Sequence, residues 1–246
     1  MPFSFVVFLA IVGGMLLSMV VYAARGAKPD PDAERKKAQF AGGAADFILH
    51  WFIWFVAPAA TWSVRVGLTP EFYNFLGLGF GIASGAALAV GQMEIAGWAL
   101  VLSGVCDIMD GRIARATKTT SKYGAFIDAV LDRFTEVAFF IGFAIFLRHS
   151  PHGAIAATLA LGSSLLVSYA RAVGETLGVD CTGGLMQRGE RLALLSIACL
   201  VDRVASPALG HPIGTVLLGV MYFIGGLSMI TAVHRSVWIA QQLRSV

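Results

Sequence analysis

Residues 3–24 read FSFVVFLAIVGGMLLSMVVYAA, a run without one charged side chain. Roughly 20 consecutive apolar residues cross the hydrocarbon of a bilayer as a helix, and comparable runs recur all the way to the C-terminus. This pattern constrains the chain most. Of its 246 residues 57% are hydrophobic and 13% charged, and the mean hydropathy is +0.75. Such a composition excludes a pair of soluble domains and leaves room for about seven spans joined by short loops. A cleaved signal peptide is the competing reading of the first run. The residues ahead of it carry no Lys or Arg, and it is longer than a usual signal core, so an uncleaved helix is expected.

A polar linker follows, RGAKPDPDAERKKAQF at 25–40. The next stretch, GAADFILHWFIWFVAPAATWS at 43–63, is rich in Trp and Phe but holds His50 and Pro58. It reads as a helix lying in the membrane interface, where amphipathic rings sit well. LTPE at 68–71 is a helix start, with Thr69 as N-cap and Pro70 in the first turn. The helix it opens contains Gly77, Gly79, Gly81 and Gly85, small residues that allow close helix approach. Further spans are expected over 94–116, 121–147, 153–177, 188–206 and 212–240. With the N-terminus outside and seven spans alternating, nearly all of the 18 Lys and Arg residues collect on one side. Only Arg148 and Arg203 fall near the other. The crowded side is then cytoplasmic.

Cys106, Cys181 and Cys199 show no paired spacing, and the five histidines are scattered. Zinc sites and disulfide frameworks are therefore not expected, and nothing in the chain points to nucleic acid. The chemistry concentrates instead in CDIMDGRIARATKTTSKYGAFIDAVLDRF at 106–134. Asp107 and Asp110 are three apart and Asp128 and Asp132 four apart, so each pair shares one helix face. The polar turn around TKTTSK makes the two helices a hairpin whose cytoplasmic mouth both pairs can line. Bare carboxylates crowded there would repel one another. A hard divalent cation, Mg²⁺ or Mn²⁺, neutralises such a set and commonly shares its coordination with substrate phosphates. Gly111, directly after Asp110, leaves space for a ligand at the backbone. Two other readings stay open on the residues alone: salt bridges to Arg133 or Arg171, and a cation or proton pathway of a transporter.

The stretch resembles the signature of the CDP-alcohol phosphotransferases, DxxDGxxAR-x8-GxxxDxxxD, at Asp107, Asp110, Gly111, Ala114, Arg115, Gly124, Asp128 and Asp132. The likeness extends over roughly residues 55–240. It implies an all-α polytopic membrane bundle with a six-helix core, here preceded by an extra N-terminal transmembrane helix and linker (1–42) and the interfacial helix. Residues 43–246 would form the transferase domain. The resemblance further implies two divalent ions, Mg²⁺ or Mn²⁺, on Asp107, Asp110, Asp128 and Asp132. A CDP-diacylglycerol diphosphate would lie on them, and an alcohol would attack the lipid-side phosphorus with release of CMP. It makes Asp132 both a metal ligand and the general base, and gives the nucleotide pocket to Gly111, Ala114, Arg115 and Gly124. It also implies a bacterial-type plasma membrane protein with its active site at the cytoplasmic face. Family members are commonly dimeric, although the glycines at 77–85 serve intramolecular packing equally well.

For the acceptor, SYARAVGETLG at 168–178 and GLMQRGERLAL at 184–194 resemble segments of the bacterial phosphatidylinositol-phosphate synthases. That likeness implies an acceptor-phosphate pocket built from Arg171, Arg188, Arg191 and Arg235, with inositol phosphate as the acceptor. Val173 stands where those enzymes have a second basic residue, and Gly189 where they have proline. Glycerol phosphate or another phosphorylated polyol is therefore the alternative acceptor.

Overall fold

The computed structural model describes residues 3–26, 43–181, 184 and 186–244. The expected linker, from residue 27 to 42, lies outside the described residues. Those described form helices and no strand: α1 Phe3–Ala24, α2 Gly43–Arg65, α3 Pro70–Ala89, α4 Met93–Ala116, α5 Lys122–Phe146, α6 Pro151–Thr176, α7 Arg188–Ala208 and α8 Thr215–Arg244. The bounds follow the sequence closely, apart from α8, which runs on past residue 240. The expected cap is also present, with the Thr69 hydroxyl accepting from the Phe72 N–H at 3.3 Å.

Among the described residues three helices are long and apolar enough to cross a membrane: α3, α6 and α8. Helices α4, α5 and α7 are of similar length but carry the acidic and arginine residues of the 106–134 and 184–194 segments. Charge in a spanning helix is expensive and normally functional. The helices that carry it are therefore the ones to search for chemistry.

The chain divides into two compact units, one within residues 1–73 and 108–121, the other within 74–107 and 122–246. In the first, α1 packs on α2. Trp51 donates its indole N–H to the Ser18 hydroxyl at 2.9 Å, and Tyr22 meets the Trp54 ring. Val56 and Ala60 of α2 form a small apolar core with Met109 and Ile113. The Arg112 guanidinium donates to the Ile53 carbonyl at 3.0 Å, so this arginine serves the unit's packing.

The larger unit holds the main apolar core, built from Leu88, Leu100, Phe139, Phe143, Leu217 and Met221 with their neighbours. Its glycines explain how the helices come together. A Cβ on Gly85 would strike the Ala138 carbonyl of α5, and one on Gly142 would strike the backbone of Gly85. Gly77 packs on Cys106 and Gly81 on Thr135 in the same manner. The glycine pattern of α3 is thus used within the chain, with Gly79 alone of the four facing open space. Helix α8 packs on α6 and α7, and its start is fixed by a side chain that the sequence does not advertise. Asp202 of α7 is fully buried and accepts the N–H groups of Gly214 at 2.6 Å and Leu217 at 2.8 Å. A carboxylate at the N-terminal end of a helix meets unsatisfied N–H groups and a favourable dipole.

Candidate active site

Helix α4 ends in a tight reversal. Lys118 takes the left-handed conformation (φ 57°), while the N–H of Thr119 returns to the Ala114 carbonyl at 2.9 Å. This is the familiar way in which the last carbonyls of a helix are satisfied. It stops α4 shortly after its signature residues and allows α5 to begin at Lys122.

Asp107 of α4 faces a carboxylate of α5. It offers an oxygen within 4.8 Å of one on Asp128 of α5, and likewise of one on Asp110, a turn further along its own helix. Asp110 is buried. The donors are carboxylate oxygens only, without His or Cys, and that chemistry fits a hard cation such as Mg²⁺ or Mn²⁺. Asp132 follows Asp128 by one turn on α5, and what it meets is a cation of the protein itself. Arg188, the first residue of α7, reaches Asp107 with Nη1 at 2.6 Å and Asp132 with Nη2 at 2.7 Å. One guanidinium therefore spans two of the four signature aspartates, with the planar fork that suits paired oxygens.

The remaining signature residues lie on α4 and at the start of α5. The Arg115 guanidinium lies over Gly111, so that a Cβ there would come within 3.1 Å of Nη1. The absence of a side chain at 111 thus makes room for an arginine of the same helix. Ala114 and Gly124 are half-buried.

The arginines expected to form the acceptor pocket do not behave alike. Arg171 is well exposed on α6 and pairs with Glu175 one turn on, at 2.7 Å. Arg235 is buried in α8 and donates to the Val167 carbonyl of α6 at 3.0 Å. Arg191 turns away from the other arginines' surroundings and into the protein. Its guanidinium is buried and committed, with Nε and Nη2 on Glu136 and Nη1 on the Met186 carbonyl. Its neighbour Glu190 accepts the Gln187 backbone N–H at 2.7 Å and caps α7. The salt-bridge reading of the aspartates is corrected in its partners too: Arg188 makes those contacts, whereas Arg133 pairs with Glu136 and Arg171 with Glu175.

Glu136 was not singled out from the sequence. It is buried, four residues after Asp132, and receives Arg191 on one oxygen and Arg133 on the other, the latter at 2.6 Å. The available signal was an acid continuing the four-residue spacing of Asp128 and Asp132 into an apolar run.

Residues 67–241 match the CDP-alcohol phosphatidyltransferase family model, and the chain belongs to that family. It is a transferase of the CDP-alcohol type. Among its relatives are the archaetidylinositol phosphate synthase of Methanothermobacter thermautotrophicus, 29% identical over 77% of this chain and 91% of that one, and the phosphatidylinositol phosphate synthase of Streptomyces avermitilis, 29% identical over 76% and 78%. The phosphatidylinositol phosphate synthase of Mycobacterium tuberculosis, solved with CDP-DAG bound, superimposes with a TM-score of 0.64 at 28% identity, over 74% of this chain and 92% of that one. The same enzyme has been solved in complex with manganese and citrate. The apolar helices and this family membership together make the chain an integral membrane protein that uses a divalent metal and a CDP-linked donor.

Proposed function

We propose that the protein transfers a phosphatidyl group from CDP-diacylglycerol to inositol phosphate, releasing CMP at the cytoplasmic face of the membrane. The observation that carries this reading is the double contact of Arg188 with Asp107 and Asp132. It sets a guanidinium, a group suited to phosphate, against both a candidate metal ligand and the candidate base. An acceptor held by its phosphate on Arg188 would have its hydroxyl near Asp132, and such positioning supplies much of the rate in transfer reactions.

In this reading Asp107, Asp110, Asp128 and Asp132 hold two Mg²⁺ or Mn²⁺ ions. When bound, these offset the diphosphate charge and stabilise the leaving CMP. Asp132 takes the proton of the acceptor hydroxyl. The oxygen so freed bonds to the lipid-side phosphorus as the bond from that phosphorus to the bridging oxygen breaks. Gly111, Ala114, Arg115 and Gly124 shape the nucleotide pocket. Arg171 and Arg188 receive the acceptor phosphate, Arg235 backs them from α8, and Arg191 supports α7. Residues 43–246 form the transferase domain and 1–42 an appended helix and linker; a homodimer is the expected assembly. Val173 favours one alternative within the same chemistry, transfer to glycerol phosphate or another polyol phosphate, because the pocket has one cation fewer than the inositol-phosphate pattern.

Arg171→Ala tests the pocket. A charge-assisted hydrogen bond contributes about 1.5–3 kcal/mol, so the acceptor KM is expected to rise roughly tenfold or more. The KM for CDP-diacylglycerol should hold. An unaltered acceptor KM removes Arg171 from the pocket.

A further inference from the structure

Glu136 lies outside the family signature and outside the group of carboxylates suited to a metal, yet it is 3% exposed and twice ion-paired. Its partners show what it holds. Asp132 and Glu136 stand one turn apart on α5, and Arg188 and Arg191 one turn apart on α7. The contacts pair them in register, Asp132 with Arg188 at 2.7 Å and Glu136 with Arg191. These are two rungs between the same two helices. The outer rung meets the signature aspartates and the inner one is sealed in the protein.

We propose that Glu136 is a positioning residue for the transfer reaction, fixing through Arg191 the first turn of α7 and with it the Arg188 guanidinium. The proposal rests on the reading of Arg188 as an acceptor-phosphate ligand. Arg191 is suited to this task because it clamps two segments together. While Nε and Nη2 hold Glu136, Nη1 holds the carbonyl of Met186, in the segment that enters α7. The Glu190 cap then starts the helix at Arg188. The Arg188 Nε is buried without a hydrogen-bond partner, so the guanidinium is held at its tip, by Asp107 and Asp132. Its reach onto Asp107 and Asp132 is therefore set by where the helix begins, which the inner rung decides. A glutamate suits position 136 because its two oxygens divide between Arg191 and the half-buried Arg133, so that the fully buried Arg191 is not left unpaired.

A double-mutant cycle tests this on the full-length protein in nanodiscs, comparing Glu136→Gln, Arg188→Gln and the double variant. Glu136→Gln is expected to raise the KM for inositol phosphate on the order of tenfold and to leave the CDP-diacylglycerol KM within about twofold. The double variant should match Arg188→Gln alone, because residues acting through one group are not additive. Binding of inositol phosphate without CDP-lipid, followed by ligand NMR, should show the same pattern. Losses that add in the double variant, or a lower thermal midpoint with unchanged acceptor KM, would overturn the proposal and leave Glu136 a packing residue. Arg188→Gln with an unaltered acceptor KM would overturn the assignment of Arg188, and the role of Glu136 with it. Should Glu136→Gln not fold, Arg191→Lys enters the same cycle with the same expected and contrary outcomes.

Discussion

Asp132→Asn is expected to lower turnover by roughly 10²- to 10⁴-fold, the range over which a positioned general base contributes, while CDP-diacylglycerol binding largely survives. The substitution preserves shape and an acceptor oxygen for Arg188, whose Nη2 lies 2.7 Å from the carboxylate. It removes the ability to take a proton at neutral pH. The attacking group is a neutral hydroxyl, so a site without a base must form the new bond before charge can be relieved. Single-turnover CMP release, with lipid binding measured in parallel, checks the expectation. Turnover within about threefold of wild type would remove Asp132 as the base, since even the low end of base catalysis is larger.

Asp107→Asn is expected to fail earlier, at the metal. Asp107 brings an oxygen within 4.8 Å of one on Asp128, and it also receives Nη1 of Arg188 at 2.6 Å. Its amide cannot supply the anionic oxygen a hard cation needs. Mn²⁺ affinity, read by EPR titration of the protein in nanodiscs, should fall by more than the roughly 10- to 100-fold typical of groups that only support a ligand. Turnover should fall to background and recover in part at high Mn²⁺. Wild-type Mn²⁺ affinity in this variant would place the metal elsewhere.

Helix positions were legible because apolar runs of membrane length are a strong local signal and because LTPE marks its own helix start. The aspartates were legible because three- and four-residue spacings put them on shared faces, and because Gly111 and Arg115 completed a specific signature. The partners of the arginines were not legible. Arg188 and Arg191 stand in one motif and face the same helix, but the turn of α7 between them sets one against the signature aspartates and the other in the interior. Only the ion pairs between α5 and α7 tell them apart. Glu136 and Asp202 were missed for the same reason. Glu136 meets the Arg191 guanidinium from another helix, and Asp202 meets the first N–H groups of α8 across the turn that follows α7.

The most direct test of the central claim, a metal-dependent transfer to a phosphorylated alcohol, is CMP release from CDP-diacylglycerol with inositol phosphate, inositol, glycerol phosphate or serine offered in turn. The purified protein would be assayed in nanodiscs with Mg²⁺, and the lipid product identified by mass. The account predicts CMP and a phosphatidylinositol phosphate product with inositol phosphate, little or none with inositol or serine, and loss of both signals on chelation. Equal rates with inositol and inositol phosphate, or CMP release that persists without a divalent ion, would contradict it.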